Sequence, residues 1–263
     1  GVGGVGIVEV FELGEPEGAR LLNVSTRGFV GQGDEVMIGS VIIDGDYPRQ
    51  LVFRARGPSL AVFGLTGTLD NPVLQLFDVG GESVASNDDW QQDNVADIPA
   101  AHAPSDPRES VLLVTLEPGA YTAIVRGADL GTGIAIVEAI DVTPPITVEV
   151  EIEAEAPLDI EYFDFAVVPI SQLTFDAQVS GGSGDFDYEW RHENGDRGSN
   201  ETGNTSPRLS FLAPPSPTRL GYDVVVTDRL FGTVREMRVS VYVEAGGVPR
   251  RADAAFNDCY AEQ

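Results

Sequence analysis

The feature that most constrains this chain is its cadence: short runs rich in Val, Ile, Phe, Tyr and Thr, each closed by a glycine, proline or aspartate turn. Sustained helical periodicity is absent, so the runs must pack as sheets. The spacing predicts strands over 6–13, 20–25, 35–43, 50–56, 72–78, 82–86, 110–116, 120–127 and 133–142. Turn signals separate them at Gly33-Asp34, Asp44-Gly45-Asp46, Gly80-Gly81 and Pro118-Gly119. Nine short strands at this interval imply a sandwich or jelly roll.

Thr143-Pro144-Pro145 interrupts the pattern, because proline donates no ladder hydrogen bond and holds the preceding residue extended. A second set of strands follows, over 147–156, 172–180, 186–191, 209–213, 221–228 and 233–244. The first of these alternates Val148, Val150 and Ile152 with Glu149, Glu151 and Glu153, one apolar face and one acidic. At 263 residues the chain suits two domains, 1–143 and 144–245, with a tail over 246–263.

Charge narrows the partners. The chain carries 42 acidic and 16 basic residues, a formal net charge of −26, which repels phosphate backbones and argues against nucleic acid. Every basic residue is arginine, so lysine-dependent chemistry such as Schiff-base formation or an isopeptide crosslink is excluded. The single cysteine, Cys259, forms no internal disulfide; it is a candidate for pairing between chains. No apolar stretch approaches the roughly 20 residues of a membrane-spanning helix, and the opening at Gly1 reads as a mature or trimmed product.

Internal repetition supplies a functional clue. GVGIVEVFEL at 4–13 matches GIAIVEAIDV at 133–142 position for position, with Glu9 opposite Glu138 and Glu12 opposite Asp141. In a tandem array such a strand closes one copy and opens the next. Here it invites pairing with a neighbouring subunit, residues 1–13 acting as a strand-exchange arm through Val5, Ile7, Val8, Val10 and Phe11. In the alternative, both are ordinary strands of one sandwich that select similar residues.

RLLNVSTRGFVGQGDEVMIGSVIIDG, LVFRARGPSLAVFGLTGTLDNPVLQLFD, VASNDDWQ and LEPGAYTAIVRGADLGTGIAIVEAIDV resemble a repeat of large secreted bacterial proteins. From Leu74 through Asn87-Asp88-Asp89 to Gly119-Ala120-Tyr121-Thr122 the chain also resembles the bacterial pre-peptidase C-terminal domain, a jelly-roll module. That resemblance implies binding or assembly rather than catalysis, an extracellular setting, and calcium at the Asp-Asp loop. VSGGSGDFDYEW (179–190) and YDVVVTD (222–228) are similar to PKD and other immunoglobulin-like repeats, with Trp190 at the core position.

Candidate chemistry is sparse. Gly1-x-Gly3-x-x-Gly6 matches a dinucleotide fingerprint only as a string, since it precedes a strand instead of following one. His102 and His192 stand beside no nucleophile motif, so no catalytic residue is assigned. The loop Ser86-Asn87-Asp88-Asp89-Trp90 with Asp93, Asn94 and Asp97 carries oxygen ligands at short spacing, which suits calcium. Asn87, Asp88, Asp89 and Asp93 are the candidate metal ligands; the competing reading is an Asx-capped turn with Trp90 covering the sandwich end.

The expectation is therefore an all-β chain, a jelly-roll-like sandwich followed by an immunoglobulin-like one. It is expected to serve as a structural subunit of an extracellular fibre, sheath or surface layer that recognises other copies of itself. The alternative is an accessory module that adheres to cell-surface polysaccharide without polymerising.

Overall fold

The computed structural model describes Val10 and residues 21–92, 97–154, 172–192, 199–202, 204–212 and 218–243. The chain divides into two compact units, Gly1–Thr143 and Pro144–Gln263. All strand pairing within the named sheets is antiparallel.

The first unit contains β1 (Asn23–Val30), β2 (Met37–Ile43), β3 (Arg49–Arg56), β4 (Pro72–Asp78), β5 (Ser83–Asn87), β6 (Ser110–Leu116), β7 (Gly119–Gly127) and β8 (Gly133–Asp141). They form two four-stranded sheets in the orders β1-β8-β3-β6 and β2-β7-β4-β5. Successive strands cross between the sheets except at the β4–β5 hairpin, which is the interleaving of a jelly roll. Leu51, Phe53 and Ala55 of β3, Leu74 and Leu76 of β4, Ala123 and Val125 of β7, and Ala135 and Val137 of β8 fill the space between the sheets. Side chains two apart share a face, so these alternations sort themselves inward.

The first sheet also buries part of its other face. Val52, Val111 and Ile140 pack there with Ile98, and Trp90, Ala103, Leu113 and Val142 lie partly buried against them. The connection from β5 to β6 thus roofs β3, β6 and β8, which explains why Val111–Val114 of β6 and Leu51–Phe53 of β3 are apolar at consecutive positions. A half-buried ion pair crosses that roofed face: Arg54 Nε donates to Glu138 Oε2 at 2.9 Å, and Arg54 Nη1 to the His102 carbonyl at 3.1 Å.

The second unit contains β9 (Ile146–Ala154), β10 (Gln172–Gly181), β11 (Phe186–His192), β12 (Ser199–Thr202), β13 (Arg208–Leu212), β14 (Thr218–Asp228) and β15 (Val234–Val243). The sheet orders are β12-β13-β10-β9 and β11-β14-β15, the four-on-three arrangement of an immunoglobulin constant-type sandwich. Trp190 of β11 is buried, as anticipated, and its Nε1 donates to the Ser206 carbonyl at 2.9 Å. Phe175 meets Phe211 and Tyr222 edge to face at 5.3 Å, while Phe211 stacks on Tyr222 at 5.0 Å. Rings in these geometries contribute about 0.5–1.5 kcal/mol per pair beyond their area.

Most strands lie within a few residues of their predicted bounds, and the departures have physical causes. β1 runs to Val30, past Thr26-Arg27-Gly28, because an eight-residue ladder with β8 holds that polar stretch extended. β12, SNET, carries no apolar alternation and was not predicted; the ladder with β13 creates it. The strand expected over 6–13 and the tail with Cys259 lie outside the described residues, apart from Val10, which is exposed.

Candidate functional site

The candidate loop begins where β5 ends, and its first residue is committed to the fold. Asn87 is buried; its Oδ1 accepts the Val111 N–H at 3.0 Å and its Nδ2 donates to the Asp89 carbonyl at 3.3 Å. Ser110, also buried, shares its hydroxyl proton between the carbonyls of Asp88, at 2.7 Å, and Pro72. The Trp90 N–H donates to the Glu109 carbonyl at 2.9 Å. Asn87 therefore ties the end of β5 to the start of β6 through a long-range bond, and its oxygen is not given to the N–H two residues on, as an Asx turn would require.

Beyond this tie the carboxylates gather. Asp88 is exposed, and partial burial together with the Asp89 and Asp129 carboxylates pushes its carboxyl above the ordinary range, against a lowering hydrogen bond from Asn71. The Asn71 amide, turned to satisfy both contacts, donates to the Arg108 carbonyl at 2.8 Å and to Asp88 Oδ1 at 3.2 Å. Asp89 Oδ2 accepts from Gln92 Nε2 at 2.6 Å, whereas its Oδ1 is shielded from solvent without a hydrogen-bond partner. Asp129 arrives from the β7–β8 connection, where it and Leu130 both adopt left-handed backbone at φ 50° and 62°.

A cation suits this charge, since an orphaned carboxylate oxygen and a raised neighbouring carboxyl both lack a positive partner. Asp88 and Asp89 are the side chains available to it. Among the described residues no three His, Cys, Asp or Glu side chains converge as a metal cluster, and Asp93 lies outside them. What the described residues of the loop gather is carboxylate charge. His102 meets Arg54 through its backbone carbonyl, and the His192 ring lies 4.3 Å from that of Tyr222 in the second unit.

Sequence reasoning missed Glu109, Asp129 and Asn71. Glu109 is fully buried, and its Oε1 accepts the Gly57 and Ser59 N–H groups at 3.0 and 2.9 Å, fixing the 3-10 turn over Pro58–Phe63. That turn holds Val62 and Phe63 out in solvent. An Arg-Glu-Ser run gives no local sign that its glutamate caps a turn some fifty residues earlier.

The proposed interface concerns sheet edges. In the described residues β1 and β2 are outer strands of their sheets. β2, MIGSVII, has no charged residue or proline and exposes Ile38 by 56% and Ile42 by 74%. The strand itself therefore carries neither the charge nor the proline that ordinarily blunts an edge. β1 carries Arg27 and an exposed Phe29. Of the interface residues read from sequence, Val10 is exposed; Val5, Ile7, Val8, Phe11 and Cys259 lie outside the described residues. No helix among the described residues is long and apolar enough to cross a membrane.

No family model and no curated protein matches the chain. Solved structures show distant likeness. The pre-peptidase C-terminal domain of a Bacillus anthracis collagenase is 12% identical with a TM-score of 0.30, covering 45% of this chain and 89% of that one. A protein of Eubacterium rectale proposed to be secreted is 9% identical at a TM-score of 0.27, covering 84% and 74%. The glycoside hydrolase domain of Endo-D from Streptococcus pneumoniae is 9% identical at 0.21, covering 83% and 36%.

Proposed function

We propose that the chain is a structural subunit of an extracellular fibre, sheath or surface layer, assembled by β-strand addition between copies. Its action is recognition, with no chemistry. The observation that carries this reading is the match of residues 4–13 to β8, a strand paired on both sides within the first unit. A segment with the sequence of a sheet interior, present in addition to that strand, has the pattern of a donor strand. Main-chain hydrogen bonds would supply affinity, and alternating Val5, Ile7 and Phe11 would set register. The uncharged edge of β2 supports the same conclusion. The second unit, an immunoglobulin-like sandwich of the kind that PKD repeats resemble, would project as a spacer.

Calcium would bind the β5–β6 loop through Asp88 and Asp89, neutralising carboxylates that repel one another and stiffening that end of the jelly roll. Polysaccharide adhesion, the competing reading, calls for an aromatic platform. Trp190 is core and Trp90 packs partly buried beneath the loop, so neither tryptophan supplies one.

Light scattering and electron microscopy of the chain with and without residues 1–13 test the proposal. Ordered polymers from the full chain and monomers from the truncated one are expected. Monomers from both would end the assembly reading.

A further inference from the structure

We infer that residues 4–13 are a second β8, and that the site they fit is the slot between β1 and β3 of another copy of this chain. The inference deepens the assembly reading and rests on it, replacing addition at an open edge by exchange into a sheet interior.

The slot makes specific demands, and the arm meets them in order. Gly133 opens β8 where a Cβ would lie 2.5 Å from the Leu69 nitrogen and 2.6 Å from the Thr68 carbonyl carbon. Both contacts are backbone, so nothing larger than glycine fits without moving the chain. Residue 4 is glycine. Ala135 faces the closed space between the sheets, and residue 6 is the smaller Gly6. Val137 packs in the same core and is Val8 in the arm.

Glu138 is buried and bonded to Arg54 of β3, with Oε2 at 2.9 Å from Nε and 2.8 Å from Nη2. Leaving the half-buried Arg54 without its carboxylate costs a charge-assisted hydrogen bond, so this position also favours glutamate. Residue 9 is glutamate. Ile140 belongs to the outer core with Val52 and Val111, and the arm offers Phe11.

These correspondences discriminate between slot and edge. A strand laid along the outer side of β1 or β2 requires neither glycine at its first position nor a carboxylate at its sixth. Only a strand beside β3 meets Arg54, and β3 is flanked by β8 and β6. Hydrogen-bond capacity argues the same way. β8 is in register with all of β1, from Asn23↔Ile140 to Val30↔Gly133, and with β3 from Leu51↔Asp141 to Arg56↔Ile136. A strand in the slot pairs on both sides, whereas one on an edge pairs on one.

The test weakens the resident β8 and asks whether the arm replaces it. In a Cys259→Ser background, which removes disulfides, Gly133→Val forces a Cβ against the Leu69 backbone. The variant is expected to associate, with a mass that rises with concentration, and to keep a cooperative unfolding transition reported by Trp90, which packs on the roofed face of the same sheet. Adding Gly4→Val should abolish both association and transition. A peptide of residues 4–13 in molar excess should restore the transition to this double variant, and the same peptide with Gly4→Val should not.

Three results would overturn the inference: a monomeric Gly133→Val chain at every concentration, association undiminished by Gly4→Val, or equal rescue by both peptides. Its failure is separable from that of the assembly reading. Peptide rescue with a monomeric parent chain would leave the slot standing and remove the fibre. Polymers that depend on residues 1–13 yet tolerate Gly4→Val would do the reverse.

Discussion

Replacing Asp228 by asparagine should destabilise the second unit by about 3–5 kcal/mol at neutral pH, and the loss should narrow in acid. Asp228 is fully buried at the end of β14, with every contact a donor. Its Oδ1 accepts from the Ser183 hydroxyl and from the Leu230 and Phe231 N–H groups, each at 2.9 Å, and its Oδ2 from the Ser183 N–H at 2.6 Å. Burial raises the carboxyl, but the N–H groups of Phe231, Ser183 and Leu230 and the Ser183 hydroxyl outweigh it and hold the group below the ordinary carboxylate range. One carboxylate therefore fixes both the β10–β11 turn and the β14–β15 turn.

The asparagine keeps one oxygen for the three Oδ1 donors, whose bonds weaken from charge-assisted to neutral by roughly 0.5 kcal/mol or more each. Its amide nitrogen must face the Ser183 N–H, which forfeits a bond of about 1.5–3 kcal/mol and leaves a buried donor unmet. The expected sum is the figure above. Because the folded carboxyl lies lower than its unfolded value of about 3.9, its contribution is complete above that value and disappears as pH falls through the folded one. Urea unfolding of a Trp90→Phe background, with Trp190 the sole reporter in the second core, measures this directly. A gap under 1 kcal/mol, or one constant from pH 7 to pH 2, would refute the reasoning.

Glu138→Ala should cost the first unit about 1.5–3 kcal/mol in urea unfolding followed by Trp90, because it takes the carboxylate from the half-buried Arg54; a loss below about 0.5 kcal/mol would mean that solvent already screens the pair. Calcium on the order of a millimolar should raise the melting temperature of the first unit, with magnesium less effective. Asp88→Asn should raise that temperature without calcium, since it removes a carboxylate disfavoured by its neighbours, and should abolish the calcium response. An unchanged calcium shift in that variant would exclude the loop as the site.

The strands themselves were legible because a strand writes its two faces at every second residue. β4 and β6 begin and end where their apolar runs do. The order of strands was not, since jelly-roll interleaving depends on pairings such as β1 with β8 that join residues more than a hundred positions apart. The site was legible only in part. Asp88-Asp89 stands out as a local cluster, but the sequence does not reveal that Asn87 is spent on Val111 or that Asp129 arrives from the β7–β8 connection. The likeness of 4–13 to 133–142 was visible from the start; its meaning required Gly133 against Leu69 and Glu138 against Arg54.

Amide hydrogen exchange of residues 4–13 in the full chain, followed from dilute to concentrated solution, tests the central claim most directly. Strand addition between copies predicts that these N–H groups pass from fast exchange to protection as concentration rises, in parallel with particle mass. Exchange at the open-chain rate in concentrated, assembled material would contradict it, because no sheet would then have received the arm.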